Sequence, residues 1–132
     1  MTQEERNLLV KELSSRLPYL TYIEWNDGYA LLSPDRLVAI VSNNFGNDWK
    51  RLFLRPMSSM TDGEFEFLQE HLPYDFTRIY SGKFDLINDN HLGNSISIDD
   101  IAFLLECFNK WHLDYHGLIP VGLALEATKD MY

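Results

Sequence analysis

At 132 residues the chain is the size of one ordinary domain, long enough to bury about two-thirds of its unfolded surface in a single core. A composition of 45% hydrophobic and 14% aromatic residues excludes a disordered chain, which lacks that apolar surface. The formal net charge of −9 repels polyanions such as nucleic acid and favours basic surfaces.

In chain order, Thr2 and Glu5 form an S/T-x-x-E capping box, in which hydroxyl and carboxylate satisfy orphan donors of a helix's first turn. Leu9, Leu13 and Leu17, with Leu8 and Val10, then recur at helical spacing up to Pro18, which ends the helix. Residues 20–25, rich in β-branched and aromatic side chains, predict a strand. Asn26-Asp27-Gly28 turns it into a second strand over 29–32, with Asp27-Gly28 as the hairpin corner. Ser33-Pro34-Asp35 reads as another turn, leading to a third strand over 37–41. A polar loop at 43–48 and a fourth strand over 52–55, closed by Pro56, follow.

Thr61 and Glu64 repeat the capping box ahead of a helix carrying Phe65, Leu68 and Leu72. Residues 76–80 and 83–87 flank Ser81-Gly82 as a further hairpin. Ser97 with Asp100 starts a third helix whose apolar stripe is Ile101, Leu104, Leu105, Phe108 and Trp111. The stretch 118–132, with Pro120 and Gly122, reads as a wrapped tail or short helical turns. The order α-β-β-β-β-α-β-β-α predicts a single α+β domain over 1–132, an antiparallel sheet of four to six strands packed on one face by about three helices.

Cys107 is the single cysteine, so no intramolecular disulfide can form, which fits a reducing compartment. The N-terminal residues have no basic n-region before an apolar stretch, and no apolar run approaches the roughly 20 residues that cross a bilayer. A cytoplasmic protein without membrane contact is expected.

Several constellations invite a chemical reading. His112-x-Asp114-x-His116 offers two imidazoles and a carboxylate, the ligand types of a catalytic zinc ion, and with it a small metal-dependent hydrolase. On a helix, however, Asp114 points away from the two histidines, and in an extended chain no fourth ligand is near. Otherwise His112 ends the helix as a cation complementing the dipole, and His116 occupies the turn before Gly117. Cys107 lies mid-helix beside Leu104, Phe108 and Trp111, the setting of a buried inert thiol rather than a nucleophile. Ser58-Ser59 lacks a nucleophile elbow, the glycines form no phosphate-binding loop, and residues 85–93 miss the calcium-loop alternation. No cofactor and no metal is expected.

The charge is split along the chain. Residues 1–55 carry 7 acidic and 7 basic side chains, whereas residues 56–126 carry 12 acidic ones against Arg78, Lys83 and Lys110. First-turn acids such as Asp62, Glu64, Asp99 and Asp100 complement helix dipoles. That leaves the near absence of lysine and arginine unexplained, because solubility needs only a modest net charge. A one-signed surface of this extent suits a basic partner. Its expected binding residues are Asp62, Glu64, Glu66, Glu70, Asp75, Asp85, Asp89, Asp99, Asp100 and Glu106, with Tyr74, Phe76 and Tyr80 as aromatic anchors.

The phrases Arg16-Leu-Pro-Tyr19, Leu54-Arg-Pro-Met-Ser-Ser-Met-Thr61, Asp114-Tyr-His-Gly-Leu-Ile119 and Gly122-Leu-Ala-Leu-Glu-Ala-Thr-Lys-Asp-Met-Tyr132 span the chain. They resemble a family of short hypothetical proteins of gut bacteria, their prophages and their phages. Members of that family often read Tyr-Arg-Gly at Tyr115-His116-Gly117, which weakens His116 as a metal ligand. The resemblance implies no reaction, cofactor or catalytic residue. It implies a setting in which small acidic phage-borne proteins modulate host machinery. The expected function is therefore a non-enzymatic binding protein that inhibits a nucleic-acid-handling defence protein, in the anti-CRISPR manner, through its acidic surface. A small-molecule sponge or adaptor, with a pocket between sheet and helices, is the remaining alternative.

Overall fold

The computed structural model describes residues 2–42, 50–72 and 97–132 in full and the backbone of 75–78 and 84–87. Helix α1 (Gln3–Arg16) begins with the expected box: Glu5 N donates to Thr2 Oγ1 at 3.1 Å and Thr2 N donates to Glu5 Oε1 at 2.9 Å. Leu9 and Leu13 are buried, and a 3-10 turn containing Pro18 (Leu17–Tyr19) follows. Strands β1 (Tyr22–Trp25) and β2 (Gly28–Leu31) make the expected hairpin, with its corner one residue earlier than the sequence suggested. Trp25 pairs with Gly28, so Asn26 and Asp27 form the loop, with φ of 49° and 62°. A two-residue turn of this kind needs positive φ at both positions, and Asn and Asp are the side chains that tolerate it best.

Residues 37–41 are not a strand. They belong to helix α2 (Pro34–Ser42), because Ser33-Pro34-Asp35 is a helix start rather than a turn. Ser33 Oγ accepts from Arg36 N at 3.3 Å, proline sits at the first helical position, and an acid occupies the first turn. Strand β3 (Leu52–Leu54) precedes a 3-10 turn (Met57–Ser59), and helix α3 (Asp62–His71) opens with the second capping box, Thr61 with Glu64. Strands β4 (Asp75–Arg78) and β5 (Phe84–Ile87) pair antiparallel, as the sequence predicts, while their turn lies outside the described residues. Helix α4 (Ile98–Lys110) is capped by Ser97, whose Oγ accepts from Asp100 N at 3.1 Å. The tail contains a strand, β6 (Ala124–Glu126), where only turns were expected.

The fold is α+β with four helices rather than about three, and the main sheet is mixed rather than antiparallel. Its order is β2-β1-β3-β6. The β1–β2 and β1–β3 pairs are antiparallel, but β6 returns along β3 in parallel, with Leu52 opposite Ala124 and Leu54 opposite Glu126. Three residues of β6 are too few to show a strand period in the sequence. Tyr132 seals the opening between β1 and β3: its hydroxyl accepts from Tyr22 N and donates to Phe53 O, both at 2.8 Å.

Two apolar clusters result. One joins α1, α2 and the inner sheet face through Leu9, Leu13, Ile23, Leu32, Ile40, Leu52, Leu54, Leu118 and Leu123. The other joins α3 and α4 through Met57, Met60, Leu68, Leu72, Cys107, Phe108 and Leu113. The core-facing stripe of α4 runs through half-buried Leu104 and buried Cys107 and Phe108 to half-buried Trp111 at its C-cap. Ile101 and Leu105, expected in that stripe, are exposed. Both registers satisfy the helical period, and packing against α3 selects one of them.

Candidate functional site: a groove between α3 and α4

The acidic half of the chain builds a groove between α3 and α4. It encloses about 530 Å³ and is lined by Thr61, Gly63, Glu64, Phe67, Phe103, Glu106, Cys107, Lys110 and Trp111. Its wall is aromatic. Phe67 stacks on His71 at 4.1 Å and on Phe103 at 6.1 Å, and meets Trp111 edge-on at 5.8 Å. Phe67 remains 38% exposed, so this aromatic surface faces solvent. The sequence carried a signal for it: Phe67 lies one step from Leu68, beside the apolar stripe of α3 rather than within it, and an aromatic ring outside the core stripe needs another surface to cover it.

Arg55 fixes the groove's geometry. Its two terminal nitrogens reach Glu64 Oε1 and Oε2 at 2.8 and 2.9 Å, Ser59 O at 2.8 Å and Trp111 O at 3.1 Å. One guanidinium therefore ties the end of β3 to the start of α3 and the end of α4. Bidentate geometry of this kind is among the stronger charge-assisted contacts. Partial burial works against the Glu64 carboxylate, but hydrogen bonds from Arg55 and Thr61 outweigh it and hold Glu64 below the ordinary range. Glu64 is thus committed inside the fold and contributes little free charge to a binding surface.

The other acids form two lips. Asp62, Glu66 and Glu70 fall at i, i+4 and i+8 on one exposed stripe of α3. Each immediately precedes a residue of the groove wall or aromatic stack: Gly63, Phe67 and His71. On α4, Asp99, Phe103, Glu106 and Lys110 share a stripe; Glu106 lines the groove from the other side, Asp99 continues the stripe one turn earlier, and Asp100 lies one step around the first turn. Among the described residues, Glu66, Glu70, Asp99, Asp100 and Glu106 make no ion pair. Asp75 and Asp85 stand in β4 and β5, opposite Ile87 and Thr77. Phe76 pairs across the same hairpin with Leu86, while Asp89, Tyr74 and Tyr80 lie outside the described residues.

His112, Asp114 and His116 are each occupied separately. His112 follows α4 at φ 60°, stacks on Tyr132 at 3.7 Å, and its Nδ1 lies 3.3 Å from Thr21 Oγ1. Burial, with the positive charges of Arg16 and Arg55, pushes its pKa down to about 4. It is therefore neutral at pH 7 and does not serve as the dipole-complementing cation. Asp114 accepts from Leu118 N at 2.8 Å and Ile119 N at 2.9 Å, which ties the turn before Gly117. His116 pairs with Glu12. Among the described residues, no group of three or more histidine, cysteine, aspartate or glutamate side chains is placed to hold a metal ion.

Glu12 and Arg16 escaped the sequence reading. Both are buried on the inner face of α1, joined at 3.0 Å, and Arg16 Nη2 donates to Leu113 O at 2.7 Å. Arg16 Nη1 has no hydrogen-bond partner among the described residues, and the guanidinium lies 5.0 Å from the Tyr115 ring centre. Cys107 is buried in the groove floor, and burial together with nearby Glu106 raises its thiol pKa. It stays protonated, as expected of an inert thiol.

No helix among the described residues is long and apolar enough to cross a membrane. The chain matches no protein-family model, no curated protein and no solved structure.

Proposed function

We propose that the chain is a non-enzymatic binding protein that sets its acidic α3–α4 face against a basic surface of a nucleic-acid-handling protein, as an anti-defence inhibitor of the anti-CRISPR kind does. One observation carries the reading. Residues 62–72 and 97–111 hold seven carboxylates and one lysine, Lys110, with no arginine. Of these, Glu64 is taken up by Arg55, and among the described residues Glu66, Glu70, Asp99, Asp100 and Glu106 make no ion pair. Solvated acids of one sign beside an aromatic groove supply fast, salt-sensitive association and an apolar anchor together. The same field repels nucleic acid, so the chain and nucleic acid would compete for one basic groove without binding each other.

The test is capture of host proteins on immobilised chain at low and high salt, with identification by mass and displacement by added DNA. The expected result is a basic nucleic-acid-binding protein that is released by salt and by DNA and is lost when Glu66 and Glu70 are replaced by lysine. Capture that ignores both salt and the charge reversal would remove the electrostatic basis.

The groove also favours a second reading, an apolar small-molecule sponge, since its volume falls in the range of ligand pockets. It lies between two helices rather than between sheet and helices. A small molecule released from purified protein on denaturation would favour that reading.

A further inference from the structure

The two helices leave a furrow between them whose walls are already hydrogen-bonded internally. The described walls are helices, so an extended segment laid against them would find no sheet edge there to extend and would lose its own backbone partners. A helix brings its backbone bonds with it and offers side-chain ridges, which pack into such furrows at axis separations of about 8–10 Å. The lining runs over residues 61–67 on one wall and 103–111 on the other, a furrow about 10–13 Å long, roughly two turns of a partner helix. Acids stand on both lips, so the matching helix is cationic on both flanks of its apolar ridge.

We propose that the α3–α4 groove receives a basic amphipathic helix from a protein partner, its apolar ridge on Phe67, Phe103 and Trp111 and its lysines and arginines on the acids of the two lips. This inference rests on the acidic-face reading above. It adds the shape of the partner: an apolar stripe at i, i+3, i+4 and i+7 with positive charge on either side.

The experiment titrates the intact chain into a fluorescent peptide of about 18 residues, long enough to fold on contact. The peptide carries leucine and phenylalanine on one helical stripe and lysine and arginine elsewhere. Three controls keep or change one property each. A permuted peptide has the same composition and no stripe, a second has two central prolines, and a third has glutamates on the flanks. The stripe peptide is expected to bind and to gain helical circular dichroism. Permutation, the prolines or Phe67→Ser in the chain each weaken it by about tenfold or more. The glutamate peptide does not bind.

Equal, salt-sensitive affinity for the stripe, permuted and proline peptides overturns the helix-in-groove inference and leaves the acidic-face reading standing. Failure of every basic peptide to bind at low salt overturns both. Should Phe67→Ser fail to fold, the peptide controls alone decide the outcome, because they leave the chain unchanged.

Discussion

The sheet-bearing half and the α3–α4 half treat charge in opposite ways. In residues 1–55, five of the seven cations are engaged. Arg16 pairs with Glu12 and Arg51 with Glu24, Arg36 and Lys50 stand over the Trp25 ring, and Arg55 binds Glu64. In α3 and α4 carboxylates outnumber cations, and among the described residues Arg55 is the guanidinium seen to pair with one of them, Glu64. Where both signs occur they are spent on holding the fold, and where one sign prevails it is left in solvent beside an aromatic groove. The first arrangement stabilises the molecule; the second supplies the charge on which the proposed binding rests.

The largest expected effect breaks the first arrangement. Arg16→Leu leaves the fully buried Glu12 with His116 as its remaining side-chain partner and strips Leu113 O of its donor. Removing one member of a buried pair costs about 3–5 kcal/mol, so urea denaturation should show a large fall in the midpoint. Replacing Glu12 and Arg16 by leucine together should recover part of that loss. A single variant as stable as the parent would show that these charges do not hold the fold. Next comes Arg55→Ala, which loosens one of the joints between the two halves. It removes hydrogen bonds from a charged donor to Glu64, Ser59 O and Trp111 O, at a cost of about 2–3 kcal/mol. Amide shifts should move at the start of α3 and the end of α4 together. Shifts confined to residues next to position 55 would argue against Arg55 as the groove's positioning residue.

How legible these halves were differs as well. Both capping boxes, the Ser97 cap and the first hairpin follow from local hydrogen-bond chemistry that a short window contains. Helix α2 was hidden because Ser-Pro-Asp serves turns and helix starts alike, and five apolar residues after it fit either period. Strand β6 depends wholly on β3, more than sixty positions upstream, to give it partners. Glu12 and Arg16 at i, i+4 look in sequence like a solvated helix pair, and only the chain crossing at Leu113 buries them. The acidic lips were legible as charge but not as geometry. Glu64 looked equal to Glu66 until Arg55, nine positions earlier, folded onto it.

A smaller effect separates the halves by pH. The folded chain keeps His112 neutral down to about pH 4, whereas the unfolded chain protonates it near 6.5. Between those values unfolding takes up a proton, so stability falls as pH drops from 6.5 to 4 and is unaffected by this group above 6.5. With its partial exposure discounted, the loss is on the order of 2 kcal/mol. His112→Asn suits the positive φ and removes the titration. Its denaturation midpoint should depend less on pH over that window than the parent's, and an unchanged slope would assign the acid sensitivity to another group.

The smallest effect is the sharpest test of the second arrangement, because stability and binding should move in opposite directions. Asp62, Glu66 and Glu70 place like charges at successive i, i+4 positions on α3. Each such pair disfavours a helix by about 0.2–0.5 kcal/mol. Glu66→Lys converts both pairs into attractive ones and should raise stability by about 0.5–1 kcal/mol at low salt, an increase that added salt removes. The same change puts a cation in the middle of the α3 lip, where a basic ligand would meet it. If Glu66→Lys stabilises the chain and weakens capture of a basic partner, the acids are held at a cost to the fold because the surface is used. A chain that is both more stable and equally good at capture would show the α3 stripe to be bare surface charge, and the contrast between the halves would reduce to composition.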